Sequence, residues 1–355
     1  MNDLSESGKP VRLGNVLVIA VVAVLVTGAV VLARYQAFRD SRLTVPADGL
    51  VYILEAGSSL GRLAHDLEQQ GIIRSPRFFV LLGRETGAAH HLQAGEYKLM
   101  PDMTPVSLLE TLTSGDVIQH ALVIVEGQTF REILEAMRRS DVLQMTFGES
   151  DASEIMARLG HAGEHPEGRF LPDTYHFPKG ATDAAFLRRA YDAMADTLAA
   201  AWDGREEGLP FKTPYEALIL ASIVEKETGQ VGERPLIAGV FVQRLRKGMR
   251  LQTDPTVIYG LGAKYDGNIR RRDLLADTPY NTYTRNGLPP TPIAMPGRDA
   301  IDAVMHPQEK GYLYFVARGD GSHYFSRTLK EHNQAVKKYQ LGQAHIKLPD
   351  AGQSQ

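Results

Sequence analysis

Apolar residues fall along this chain in three patterns, and each predicts a different element. From Val16 to Ala33, eighteen residues run without a charge, mostly Val, Ala and Leu. As a helix rising 1.5 Å per residue the run covers most of a ~30 Å hydrocarbon layer, with Asn15 and Tyr35 at its edges, so a single membrane span is expected. A cleaved secretory signal competes with that reading because Val31-Leu32-Ala33 resembles a peptidase site, but the apolar run exceeds the usual signal core. Lys9 and Arg12 precede the run while Arg34, Arg39 and Arg42 lie beyond it. The positive-inside count therefore does not favour export of the large C-terminal portion.

The second pattern is a strand, a Gly turn and a helix, used twice. Val51-Tyr52-Ile53-Leu54 reads as a strand, Glu55 to Ser59 as a turn, and Leu60, Leu63, Ala64 and Leu67 as one face of a helix. Leu122 to Val125, Glu126-Gly127-Gln128-Thr129 and the face Phe130, Ile133, Leu134, Met137 repeat that order. The third pattern is helical and more heavily apolar. Thr213-Pro214-Tyr215-Glu216 reads as a capping box and Gly229 as a left-handed stop, with only Ser222 interrupting the apolar residues from Ala217 to Val224. A helix apolar on most faces must be covered by protein. A second helix is expected from about Arg234 to Lys247. A long irregular stretch, Arg250 to Arg298, carries Pro279, Pro289, Pro290, Pro292 and Pro296. Beyond it a hairpin is expected, with Tyr312 to Val316 and His323 to Ser326 as its strands, and then a helix from about Leu329 to Tyr339. The fold class predicted is α+β.

The carboxylate of Glu225 lies one turn beyond Ala221 and Ser222, on the buried side of the third pattern or at its edge. Burial penalises the charged form, which makes Glu225 a candidate general acid. At pH 7 an ordinary Glu is protonated in ~0.2% of molecules, whereas one with its pKa raised to about 6 is protonated in ~10%. Spacing alone leaves open the alternative of a solvated charge beside Lys226. Glu227, turned by roughly 200° on the helix, is expected to face a different environment.

Composition narrows the function classes. With 355 residues, 43% of them apolar, the chain can build one or two real cores. A net charge of −3 with dispersed Lys and Arg gives no basic field for nucleic acid. There is no Cys, hence no disulfide and no thiolate metal site. His161-Ala162-Gly163-Glu164-His165 matches a zinc-protease spacing, but Gly160, Gly163 and Pro166 oppose the helix that motif needs, so no metal or cofactor is expected. Gly57-Ser58-Ser59-Leu60-Gly61 matches a nucleophile elbow without the preceding parallel sheet that would mount it. Arg318-Gly319-Asp320 reads as a hairpin tip. The remaining polar and aromatic cluster, Gln252-Thr253-Asp254-Pro255 with Tyr280-Asn281-Thr282-Tyr283, suits either a carbohydrate cleft or a proline-stiffened surface loop.

Several segments together resemble the YceG-like (MltG) family of endolytic murein transglycosylases. They are Glu167 to Tyr175, Ala221-Ser222-Ile223-Val224-Glu225-Lys226-Glu227-Thr228, Leu251 to Gly260, Tyr280 to Tyr283, Gly287 to Pro290 and Tyr312 to Val316. With the N-terminal span, the resemblance covers residues 14 to 340. It implies a short cytoplasmic tail (1–14), a transmembrane helix (15–35), a linker (36–48), a LysM-like βα subdomain (49–118), a larger catalytic domain (119–345) and a polar tail (346–355). It also implies a single-pass protein of the bacterial inner membrane with its body on the periplasmic side, acting on peptidoglycan beside a peptidoglycan synthase. The first Glu of the Val-Glu-Lys-Glu-Thr motif, Glu225, would be catalytic. Thr253, Asp254, Tyr280, Asn281, Thr282 and Tyr283 would line the glycan cleft, and the Glu167 to Tyr175 segment would brace it.

The implied chemistry is non-hydrolytic cleavage between N-acetylmuramic acid and N-acetylglucosamine inside a strand. One carboxyl group would protonate the leaving oxygen and then take the proton of the muramyl 6-hydroxyl as a 1,6-anhydro ring closes, terminating the elongation of a nascent strand. Two rivals remain: a hydrolytic muramidase with Asp254 as second carboxylate, and a non-catalytic membrane-anchored scaffold that binds peptidoglycan.

Overall fold

The structure, a computed structural model, describes residues 13–343 and 348. The expected C-terminal tail, apart from Leu348, and most of the N-terminal tail lie outside the described residues. Contacts divide the chain into two units, Met1–Gln119 and His120–Gln355.

The first unit opens with α1 (Leu13–Arg39), the one helix among the described residues that is long and apolar enough to cross a membrane. Its side chains from Val16 onward are exposed until Tyr35 and Phe38, which are buried. The helix continues past residue 35 to Arg39, and Tyr35, Phe38 and the adjoining Leu43 join the unit's core. The Tyr35 hydroxyl donates to Glu85. Then come β1 (Leu50–Leu54), α2 (Leu60–Gln69), α3 (Pro76–Glu85), β2 (Gly95–Leu99) and α4 (Pro105–Ser114). β1 and β2 pair antiparallel with Tyr52 opposite Tyr97. Leu60, Leu63, Ala64 and Leu67 bury the face the spacing predicted. Ser59, the serine of the elbow-like motif, is the N-cap of α2, its Oγ accepting from the Arg62 N–H at 3.2 Å.

The second unit contains β3 (Gln119–Ile124), α5 (Phe130–Arg138), α6 (Ala152–Leu159), β4 (Asp173–Pro178), α7 (Asp183–Asp203), α8 (Pro214–Glu227), α9 (Arg234–Arg246), α10 (Asp254–Leu261), α11 (Arg271–Leu275), α12 (Arg298–Met305), β5 (Tyr314–Ala317), β6 (His323–Ser326) and α13 (Leu329–Tyr339). β3 pairs with β4, and β5 with β6 in a hairpin whose register sets Tyr314 opposite Ser326. The stretch from 250 to 298, expected to be irregular, carries α10 and α11. Pro255, read there as a loop residue, sits at the start of α10, where its missing N–H costs nothing.

α8 is the central helix. Ala217 to Val224 are all buried, against α7, α9, α10 and α12. Each buried Leu, Ile or Val side chain contributes about 1.5–3 kcal/mol, so this helix is the apolar centre of the unit. The polar break at Ser222 is fully used: its Oγ donates to the Ile219 carbonyl at 2.7 Å and accepts from the Ile293 N–H at 3.0 Å, tying the 293 segment to the helix. The ends differ from expectation in detail. Thr213 caps the Glu216 N–H, but the Glu216 carboxylate accepts from Lys212 N, one residue before the expected partner. At the other end the chain leaves the helix at Thr228 in an extended conformation (φ −146°), with no left-handed stop at Gly229.

Candidate active site

The last turn of α8 carries two acids into different surroundings, as the 200° separation predicts. The Glu225 side chain is 5% exposed and both its oxygens are engaged. Oε1 accepts from Arg234 Nη2 at 2.8 Å, and Oε2 accepts from the Gly297 N–H at 2.9 Å. A Cβ at Gly297 would lie 1.9 Å from Glu126 Oε1, so a larger residue there would displace the Glu126 side chain from its place beside Arg234. Arg234, also 5% exposed, reaches Glu126 at 3.3 Å and Asp299 at 3.7 Å. The Glu225 pKa is raised on balance: burial is the largest cause and the Glu126 and Asp299 charges add to it, while the Gly297 N–H and the Arg234 guanidinium oppose it. Protonating Glu225 would deprive a buried guanidinium of its nearest carboxylate, and a buried ion pair broken on one side costs about 3–5 kcal/mol. The geometry of Glu225 is that of a buried structural ion pair.

Glu227 is placed differently. It lines a cavity of about 490 Å³ together with Gln252, Thr253, Asp254, Tyr283 and His323. Thr253 Oγ1 donates to Oε1, and among the described residues no other hydrogen bond to the carboxylate is found. Burial pushes its pKa up to about 7; the Asp254 charge adds to the rise, while the Thr253 hydroxyl, His323 and Arg244 oppose it. A carboxyl group about half protonated at neutral pH and facing a polar cavity can give a proton to a bound ligand.

The expected cleft residues separate into three groups. Thr253, Asp254 and Tyr283 come together at the Glu227 cavity, where the Tyr283 hydroxyl donates to Asp254 Oδ1 at 2.6 Å. Tyr280 lines a different cavity of about 600 Å³, with Tyr259, Tyr265 and Glu167. Its hydroxyl is hydrogen-bonded to Thr291 Oγ1 at 2.8 Å. Asn281 and Thr282 are buried supports, which corrects the expectation that they line the cleft. Asn281 Nδ2 donates to the carbonyls of Asp273, Leu274 and Ala276, and its Oδ1 accepts from the Tyr283 N–H. Thr282 Oγ1 accepts from the Thr253 N–H at 3.1 Å and is bonded to Thr256 Oγ1 at 2.9 Å. These bonds fix the 250–254 turn against the 281–283 segment.

That turn is strained. Gln252 has φ +51°, the one positive φ of a non-glycine among the described residues. Strain of this kind costs on the order of 1–3 kcal/mol and persists where the surroundings overdetermine the backbone. Here the Gln252 N–H donates to the Thr282 carbonyl at 3.2 Å, and Arg244 Nη1 donates to the Leu251 carbonyl at 2.7 Å. Arg244 Nε also donates to the Leu313 carbonyl at 2.7 Å, so one buried guanidinium ties α9, the 250–252 turn and the approach to β5 together around Glu227.

Glu167, from the segment expected to brace the cleft, is 4% exposed and lines the second cavity. Its two oxygens accept from the Phe130 N–H and the Tyr259 hydroxyl, both at 2.9 Å, and burial pushes its pKa up to about 7. Glu167 thereby links the start of α5 to α10. His161, from the zinc-protease-like motif, stacks on Tyr191 with ring centroids 3.8 Å apart.

Sequence reasoning passed over Glu227, His323, Glu233 and Arg244. Glu227 stood in the same motif as Glu225. The signal favouring one acid over the other depends on the 250–254 turn packing against the helix end, which is non-local.

A model of the YceG-like family matches residues 52–338. The chain belongs to the YceG-like family. It is 31% identical over 318 residues to the endolytic murein transglycosylase of Bacillus subtilis, covering 85% of this chain and 86% of that protein. It is 28% identical over 346 residues to the endolytic murein transglycosylase of Streptococcus pneumoniae, covering 86% of this chain and 61% of the longer pneumococcal protein. Among solved structures, a yceG-like protein of Listeria monocytogenes is similar at a TM-score of 0.50 and 31% identity, over 81% of this chain and 99% of that one.

Proposed function

We propose that this chain is an endolytic murein transglycosylase, a lyase that cleaves the bond from N-acetylmuramic acid to N-acetylglucosamine within peptidoglycan strands and leaves 1,6-anhydro ends. The observation that carries the mechanism is the Glu227 carboxyl, facing the cavity of Thr253, Asp254 and Tyr283 with its pKa pushed up to about 7. We place the general acid on Glu227 in preference to Glu225, whose oxygens are committed to Arg234 and Gly297. Protonated Glu227 gives its proton to the glycosidic oxygen as C1 acquires oxocarbenium character and the C1–O4 bond breaks; the muramyl C6 hydroxyl attacks C1, passes its proton to a basic group of the same cavity and closes the anhydro ring. Asp254 and Tyr283 offer an acceptor and a hydroxyl for sugar hydroxyls, and Thr253 orients the acid.

The helix α1 supplies a single-pass anchor, with the body in the periplasm of a bacterial inner membrane. Residues 49–118 act as a LysM-like module that holds glycan near the enzyme, and a peptidoglycan synthase is the proposed partner during strand synthesis. One observation favours a second reading. Asp254 shares the cavity with Glu227 and raises its pKa, so it is placed to activate water in a hydrolytic muramidase. Mass spectrometry of the released reducing ends separates the two: the hydrolytic product is heavier by one water. A Glu227→Gln protein that folds and still cleaves strands would remove the acid assignment.

A further inference from the structure

The Glu227 cavity holds a second proton-transfer group that the one-carboxyl scheme leaves unused. His323 opens β6 and lines this cavity, with its side chain 11% exposed. Glu233 grips it with both oxygens: Oε1 accepts from the His323 backbone N–H at 2.9 Å, and Oε2 lies 2.7 Å from Nδ1. A carboxylate can only accept, so Nδ1 carries the hydrogen and the neutral ring keeps its lone pair on Nε2. The Phe315 ring, edge-on with centroids 5.5 Å away, limits how the imidazole can turn. A histidine fixed in one tautomer by a carboxylate behind it is the arrangement of a general base. Glu227, Asp254 and Arg244 are the other charged groups of the cavity, and a positive His323 lowers the Glu227 pKa.

We propose that His323 is the base that takes the proton from the muramyl C6 hydroxyl, with Glu233 as its positioning residue and Glu227 acting as the acid alone. This rests on the transglycosylase reading above. The C1–O4 bond breaks and O4 receives the Glu227 proton, while the C1–O6 bond forms and the O6 proton passes to Nε2. The site is left with a carboxylate and an imidazolium, whose attraction favours the products of both transfers. Return of the proton from His323 to Glu227 resets the enzyme with no net uptake or release.

The test uses the detergent-solubilised full chain on uncrosslinked peptidoglycan. His323→Asn keeps an N–H for Glu233 but has no basic nitrogen, so a merely structural histidine would tolerate it. The expected result is a roughly hundredfold lower rate of anhydro-end formation, with unchanged thermal unfolding and unchanged binding to insoluble peptidoglycan. Added imidazole should restore His323→Gly at least tenfold and leave Glu227→Gln inactive. Activity of His323→Asn within threefold of the parent, or no response of His323→Gly to imidazole, overturns the proposal. The acid assignment fails separately, on cleavage by Glu227→Gln.

Discussion

If Glu227 is held protonated by its surroundings, replacing it by Gln should stabilise the protein in a pH-dependent way. The perturbation removes a carboxyl group whose pKa is raised from the ordinary 4.5 to about 7, chiefly by burial. For a raised acid, the folded state binds the proton more tightly than the unfolded state. The stabilisation is full below pH 4.5 and is lost as pH rises towards 7, beyond which the folded protein carries a buried charge. At 1.36 kcal/mol for each tenfold change in proton affinity, the loss is about 1 kcal/mol by pH 5 and about 3 kcal/mol by pH 8. Glu227→Gln does not titrate, so its stability relative to the parent should rise by about 2.5 kcal/mol between pH 5 and pH 8. Effects of the amide that do not depend on pH cancel in that difference. The assay is thermal unfolding of the solubilised proteins at the two pH values. A change of this size moves the transition by roughly 5–10 °C in a unit of this length. A stability difference that is the same at both pH values would refute the raised pKa and with it the reason for choosing Glu227.

The same geometry has other measurable consequences. Glu225→Gln should lower stability by about 3 kcal/mol, near the low end for a broken buried pair because Arg234 keeps Glu126 and Asp299; denaturant unfolding measures this, and the rate of the folded enzyme should stay within threefold. The rate constant for cleavage should fall tenfold per pH unit above about pH 7, as Glu227 loses its proton; initial rates from pH 6 to 9 test this, and a flat alkaline limb would count against the acid role. Asn281→Ala should cost roughly 2–4 kcal/mol by leaving the Asp273, Leu274 and Ala276 carbonyls and the Tyr283 N–H without their partner, which urea unfolding can detect.

Much of the framework was legible because it rests on local signals. The Thr213 cap and the apolar run located α8, period and flanking turns located α9 and the β5–β6 hairpin, and α13 spans Leu329–Tyr339 as expected. α10 was obscured because its Pro255 looks like a breaker unless it is recognised as an early helical position. α7 has a readable face in Phe186, Leu187, Ala190, Tyr191, Met194 and Leu198, with Thr182 as its cap, but it carries no motif to draw attention to it. The site was legible only in outline. Helix geometry separated Glu225 from Glu227, yet which acid meets the cavity is decided by residues 252–254 and 323, distant in sequence. Asn281 and Thr282 look like ligands for sugar because they are polar; their partners are backbone groups and a neighbouring threonine, which composition does not reveal.

In the proposed mechanism one carboxyl, Glu227, starts a non-hydrolytic cleavage inside the glycan strand. The most direct measurement is mass spectrometry of muropeptides released from purified peptidoglycan by the parent, Glu225→Gln and Glu227→Gln proteins. Internal strand cuts ending in 1,6-anhydro-N-acetylmuramic acid are expected from the first two and none from the third. Reducing ends heavier by one water, or anhydro ends from folded Glu227→Gln but not from folded Glu225→Gln, would overturn this mechanism.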